Sequence, residues 1–101
     1  MPKFLFRGKY SQEGLTLVKE KGGSARRDDG KALVEGLGGR VESFHFAFGE
    51  DDLIAIVELP DNGAAAAIST QLVALGRFTT FVTVPLLTPE EVDAAMQTYG
   101  A

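Results

Sequence analysis

The stretch from Arg40 to Asp61, RVESFHFAFGEDDLIAIVELPD, constrains the fold of this chain more than any other. Two apolar runs flank Gly49-Glu50-Asp51-Asp52. The first, Val41 to Phe48, places Phe44, Phe46 and Phe48 at every second position. The second, Leu53 to Leu59, is almost wholly apolar. Period two with aromatic and aliphatic side chains is the pattern of strands. A short linker of Gly and acidic residues makes the two strands a hairpin. Pro60 and Asp61 close its second strand.

Helices and strands arrange themselves around this hairpin. Lys3 to Arg7 reads as a short strand with Phe4 and Phe6 on one side, and Gly8 to Gly14 reads as a loop. Ser11 caps a helix that starts near Gln12 or Glu13, with Leu15 and Val18 on one face. Gly22-Gly23 stops it, because each glycine costs about 1 kcal/mol inside a helix. Ser24 then caps a segment from Ala25 to Leu37, with Leu33 and Leu37 inward, and Gly38-Gly39 ends that segment. After the hairpin, Asp61 caps a helix beginning at Asn62, whose inward stripe is Ala65, Ile68, Leu72 and Leu75. Gly76 stops it. Phe78 to Val84 is a fourth strand, ended by Pro85. Thr88-Pro89-Glu90-Glu91 combines a cap, a first-turn proline and a capping box. It opens a last helix with Val92, Ala95, Met96 and Tyr99 on its apolar side.

The resulting order is that of a split β-α-β, ferredoxin-like α+β sandwich. It has a four-stranded antiparallel sheet in spatial order 4-1-3-2, helices on one face and a short terminal helix. At 101 residues the chain makes one domain over residues 1–101. Leu53, Ala55, Val57 and Leu59 point to one side of the sheet, while Ile54, Ile56 and Glu58 point to the other. Phe78 and Phe81 alternate onto opposite faces. A sheet with one wet face alternates more cleanly than this. The second face is therefore expected to be covered by an identical subunit, as a homodimer or higher homo-oligomer. Two such sheets stacked face to face predict a dimeric α+β barrel with a cavity between subunits.

Charge narrows the partners. The net charge is −4, which argues against nucleic acid. Residues 1–40 carry a net +4 and residues 41–101 a net −8. Interleaving of the halves in space accounts for this, and complementary patches between subunits are the sharper alternative. There is no cysteine and one histidine, so a zinc site of three or four His/Cys ligands is impossible in one chain. No metal and no cofactor is expected. No apolar window approaches the length of a membrane span, and MPKFLFRGKYSQEG lacks a signal-peptide core. The expected location is cytoplasmic.

Taken in order, several pieces resemble the GYD domain family. They are Gly38-Gly39, Phe44, Gly49-Glu50 with Asp52, the run LIAIVEL, Pro60-Asp61, the alanine-rich helix ending in Leu75-Gly76, and Thr88-Pro89-Glu90-Glu91. The resemblance covers nearly the whole chain and implies a small α+β protein of the dimeric α+β barrel group. The family signature has a Tyr-Asp pair at the hairpin turn, and here Asp51 stands in place of the tyrosine. The resemblance implies no particular activity.

Four side chains are candidates for chemistry or ligand binding. His45 is the one side chain that titrates near neutrality when unperturbed. It lies opposite the phenylalanines of its strand, to bind a ligand or move a proton there, or to serve as an interface or surface histidine. Glu58 interrupts an apolar strand, either as a carboxylate buried in a pocket or as an outward strand end. Tyr10 closes a pocket mouth or packs. Arg7 neutralises Glu58 or receives an anionic ligand. The turn Glu50, Asp51 and Asp52 reads as solvated, lacking the spacing of a calcium loop, with Asp52 available to bond backbone amides. Three functions fit these residues. One is a self-associating protein that binds a small apolar or amphipathic molecule. A second is a cofactor-independent oxygenase or isomerase working through a dry pocket, with His45 and Glu58 as its catalytic candidates. The third is a structural or regulatory subunit without a ligand.

Overall fold

The computed structural model describes residues 1–101. Strand β1 (Lys3–Tyr10) is followed by helices α1 (Gln12–Lys21) and α2 (Gly23–Gly36), the hairpin β2 (Arg40–Phe46) and β3 (Leu53–Glu58), helix α3 (Asn62–Ala74), strand β4 (Phe78–Leu86) and helix α4 (Pro89–Tyr99). The sheet is antiparallel throughout, in the order β2-β3-β1-β4. This is the 4-1-3-2 arrangement expected from the order of elements. No helix is long and apolar enough to cross a membrane.

The barrel expectation is overturned. β2 and β4 are the two ends of the sheet and do not pair with each other, so the sheet is open. Closure into a small barrel takes about eight strands, and four leave both edges free. Two register irregularities explain why the facing argument went astray. In β4 an extra residue, Thr79, lies between the partners of Lys9 and Tyr10. The bulge turns Phe78 onto the same face as Phe81, and their rings meet edge to face at 5.2 Å. In β2 a second bulge falls at Glu42, between Val41 and Ser43. The inner face therefore collects the aromatics, and the outer face is mixed, with Leu5, Ile54, Ile56, Val82 and Val84 among Lys3, Arg7, Lys9 and His45.

Several boundaries move for similar reasons. β1 runs past Gly8 to Tyr10 because its ladder with β4 continues through Lys9 and Tyr10 after the pairing with β3 has ended at Gly8. β2 stops at Phe46, and Phe48 is fully exposed. Pro85 lies within β4; a proline is tolerated there because β4 is an edge strand. Gly22, not Ser24, separates the first two helices, at φ +90°, and contributes no side-chain cap. On α2 the buried residue is Val34, with Leu33 and Leu37 half-buried beside it. Ser11, Asp61 and Thr88 cap α1, α3 and α4 as expected, and Thr88 and Glu91 complete the capping box.

The core lies between the sheet's inner face and helices α1 to α3. It forms two clusters. One holds Phe4, Phe6, Val57, Leu59, Ala65 and Ile68, and the smaller one holds Tyr10, Leu53 and Phe78. Phe44, Leu72 and Phe81 touch both. α4 joins neither. None of its residues is buried, and Val92, Met96 and Tyr99 are exposed. The chain is accordingly elongated, 53 × 28 × 22 Å, with a radius of gyration of 15.0 Å, against about 13 Å for a compact chain of this length.

Candidate functional site

A cavity of about 250 Å³ lies where the two core clusters fail to merge, lined by 18 residues of which 14 are hydrophobic. It sits within the single chain, on the helix side of the sheet. Its origin is local. α2 packs on β2 and α3 packs on β4, and the two helices scarcely meet. On the sheet side the small residue Ala55 lies in the lining among Phe6, Phe44, Leu53 and Val57. Along α2 the inward positions Gly23, Arg26 and Gly30 precede Leu33 and Val34. A Cβ on Gly23 would stand 3.0 Å from Phe46, and one on Gly30 would stand 3.3 Å from Phe44. The glycines thus bring the α2 backbone down onto the β2 aromatics, yet supply no side chain to fill the space beyond them. Asp29 on α2 and Leu75 at the end of α3 line the cavity and are both exposed. They mark its mouth, between the two helices.

Tyr10 forms part of the wall. Its ring stacks on Phe78 at 4.6 Å and lies 6.4 Å from Phe46. Burial pushes its phenol above the ordinary tyrosine value; the positive charge of Arg26 opposes that shift, and Asp52 adds to it. The Tyr10 backbone is held by the hairpin turn. Its N–H donates to Asp52 Oδ2 at 2.9 Å, and Asp52 N–H donates to the Gly8 carbonyl at 2.8 Å. Asp52 therefore bonds a backbone amide, across to β1.

Two arginines complete the polar part of the wall. The Arg26 side chain is only 9% exposed. One guanidinium nitrogen donates to Asp29 Oδ2 at 2.9 Å, and Nε is buried without a partner. Arg77 follows the turn after α3 and makes no ion pair. Its backbone is fixed from α1. Ser11 N–H donates to the Arg77 carbonyl at 2.9 Å, and Ser11 Oγ donates to the Gly76 carbonyl at 2.6 Å.

Of the four residues singled out in the sequence, Tyr10 alone lines this cavity. Arg7, His45 and Glu58 belong to the outer face. Arg7 and Glu58 do not pair with each other. Arg7 stands 3.8 Å from Asp51, and Arg40 Nε donates to Glu58 Oε2 at 2.7 Å. That bond is the main reason the Glu58 carboxyl is held below its ordinary value. His45 is exposed and makes no side-chain hydrogen bond or ion pair. No group of three or more His, Asp or Glu side chains is placed to hold a metal ion. Sequence reasoning missed Arg26 and Arg77. The signal for Arg26 was the spacing Gly23, Arg26, Gly30, Val34, a helical stripe whose first half has no apolar side chain to bury. Arg77 carried no comparable signal.

The GYD domain family model matches residues 4–96, and the chain belongs to that family. Comparison with curated proteins found no match, and comparison with solved structures found none either.

Proposed function

We propose that this GYD-domain protein is a binding protein for a small, largely apolar molecule held in the cavity between α2, α3 and the sheet. The observation that carries this reading is the cavity itself: apolar on most of its wall, open at one mouth and formed within the chain. Pockets of this kind, apolar with a few placed polar groups, are the usual small-molecule sites. A dry cavity of about 150 Å³ takes up benzene. Scaled from that case, this one has room for roughly ten non-hydrogen atoms. Binding rather than turnover is proposed, because His45 and Glu58, the acid–base candidates, face away from the cavity. The test is an NMR titration with 3-phenylpropan-1-ol. Shifts are expected at Leu33, Ile68 and Leu72, and the variant Ala55→Leu, which fills the cavity from the sheet side, is expected to abolish them. Shifts confined to the outer face would refute the reading.

A second reading is self-association. It is favoured by the unburied apolar side of α4, where Val92, Met96 and Tyr99 are exposed. The outer sheet face offers Leu5, Ile54 and Ile56, next to Lys3, Arg7 and Lys9, which stand beside Glu42, Asp51 and Asp52 of the same chain. A second copy laying α4 across this face would cover both apolar surfaces. Light scattering is expected to give twice the chain mass, reduced to the monomer by Met96→Glu. A wild-type monomer would exclude it.

A further inference from the structure

Resting on the binding reading above, we propose that the cavity selects a monoanion: a small amphipathic acid whose carboxylate is taken by Arg26 at the mouth, with Arg77 beside it and the apolar tail against Tyr10, Leu72 and Phe78.

The argument begins with the cost of Arg26. A guanidinium withdrawn from water to 9% exposure must be paired or lose hydration it cannot recover. Its one protein partner, Asp29, is itself 57% exposed, so that pair is half in solvent and weak. Nε remains buried and unpartnered. An arginine presents its donors in a planar fork that fits both oxygens of a carboxylate. Here Arg26 belongs to the cavity lining, only Nη1 is bonded within the chain, and Nε is enclosed without a partner. The Tyr10 hydroxyl makes no hydrogen bond within the chain, leaving a second donor in the same wall.

The charges around the site favour an anion over a cation or a neutral guest. The cavity lining holds Arg26 and Arg77 against the single carboxylate of Asp29, in a protein whose net charge is −4. The Glu13 carboxylate lies near Gly76 and is not part of the lining. A ligand carboxylate arriving at the mouth would displace or share Asp29, which has solvent on its other side. Size limits the rest. With room for roughly ten non-hydrogen atoms, the cavity takes one ring or a short chain, and excludes long-chain fatty acids and nucleotides. A simpler account is that Arg26 lies over the cavity with its aliphatic stem, as arginines often do. In that case a guest's charge would not matter.

The experiment compares 3-phenylpropionate with 3-phenylpropan-1-ol, which match in carbon skeleton and differ in charge, by NMR titration of the full chain. The expected result is that both shift the cavity resonances and the acid binds about tenfold tighter, as a charge-assisted bond to arginine should give. Arg26→Gln is expected to remove that preference, and Arg26→Lys to keep part of it. If acid and alcohol bind wild-type protein equally, the anion inference falls while cavity binding stands. If neither shifts the cavity resonances, both fall. The wild-type comparison decides the matter even if the Gln variant does not fold. A preference unaltered in Arg26→Gln would also overturn the assignment to Arg26.

Discussion

Replacing Asp52 by alanine is the sharpest probe of how the hairpin turn holds the cavity wall. Asp52 Oδ2 accepts the Tyr10 N–H at 2.9 Å, and Oδ1 lies 3.4 Å from Lys9 Nζ. The Asp52 side chain is 17% exposed, and Tyr10 is buried. The ladder with β3 ends at the Gly8–Leu53 pair, so the Tyr10 amide, on that same edge of β1, takes its acceptor from a side chain of the turn. Removing that acceptor strands a largely buried donor, at about 1–3 kcal/mol. The Lys9 pair, half in solvent, adds no more than about 1 kcal/mol. The expected loss is about 2 kcal/mol. For a domain of this size each kcal/mol lowers Tm by about 4–8 °C, so Asp52→Ala should melt about 8–16 °C lower. Asp52→Asn keeps an acceptor and should recover most of the loss. Asp51→Ala, which removes only the contact at 3.8 Å with Arg7, should change stability by less than about 1 kcal/mol. Urea unfolding followed by circular dichroism measures all three, and hydrogen exchange at the Tyr10 amide reports the bond directly. An Asp52→Ala protein within about 0.5 kcal/mol of wild type, the range of an ordinary surface change, would refute the reasoning.

Three further outcomes are expected. Arg40→Ala should raise the Glu58 pKa toward its ordinary value in an NMR titration. Because the folded value is depressed, the pair stabilises the protein above the unfolded pKa and is lost as pH falls through the folded one. An unchanged Glu58 titration in the variant would show that Arg40 is not the cause. Tyr10 should ionise above the ordinary tyrosine value when followed by ultraviolet absorbance in a Tyr99→Phe background, and higher still in Arg26→Gln. With a raised folded pKa, its contribution to stability is complete below the unfolded value and disappears as pH rises through the folded one. Gly14→Ala would bring a Cβ onto the Arg77 carbonyl oxygen and to 2.7 Å from Tyr10 Cδ1. It should cost about 1–3 kcal/mol, measured in urea, and a neutral effect would show that the α1 contact with the Arg77 turn is loose.

The sheet was legible because its signals are local. The hairpin's period-two runs, the Asp61 and Thr88 caps and the Gly76 stop each fix an element by the chemistry of a few neighbouring residues, and all are found in place. The strand order followed from them. What was not legible depends on partners far along the chain. Thr79 is not marked as a bulge by its own neighbours; it becomes one because Lys9 and Tyr10 stand opposite, and its hydroxyl donates to the Lys9 carbonyl at 3.2 Å. Without that bulge Phe78 would face outward, and the reading of two apolar faces would have held. The candidate site was harder still. Tyr10 was singled out, but as a residue beyond the strand. Arg26 was passed over because a polar residue on an amphipathic helix is expected to face water.

Both departures from a simple two-layer sandwich follow from where the apolar side chains are spent. The β4 bulge moves Phe78 inward beside Tyr10 and creates the second cluster at one end of the sheet. The first cluster is anchored at the other end by Leu59, Val57 and Ile68. α2 is the helix that would have to bridge them, and its early turns carry Gly23, Arg26 and Gly30 where bridging needs large aliphatic residues. Filling such a gap usually stabilises a protein, and leaving it open forgoes packing that interiors ordinarily have. The chain instead leaves the gap open with an arginine at its edge, a side chain that is costly to bury and suited to binding carboxylates. A core designed for stability alone would place leucine at residue 26; at residue 30 a Cβ would already stand 3.3 Å from the Phe44 ring. The variant Arg26→Leu separates the two purposes. If it is more stable than wild type and no longer takes up 3-phenylpropionate, the gap is held open at the expense of stability for the sake of a ligand.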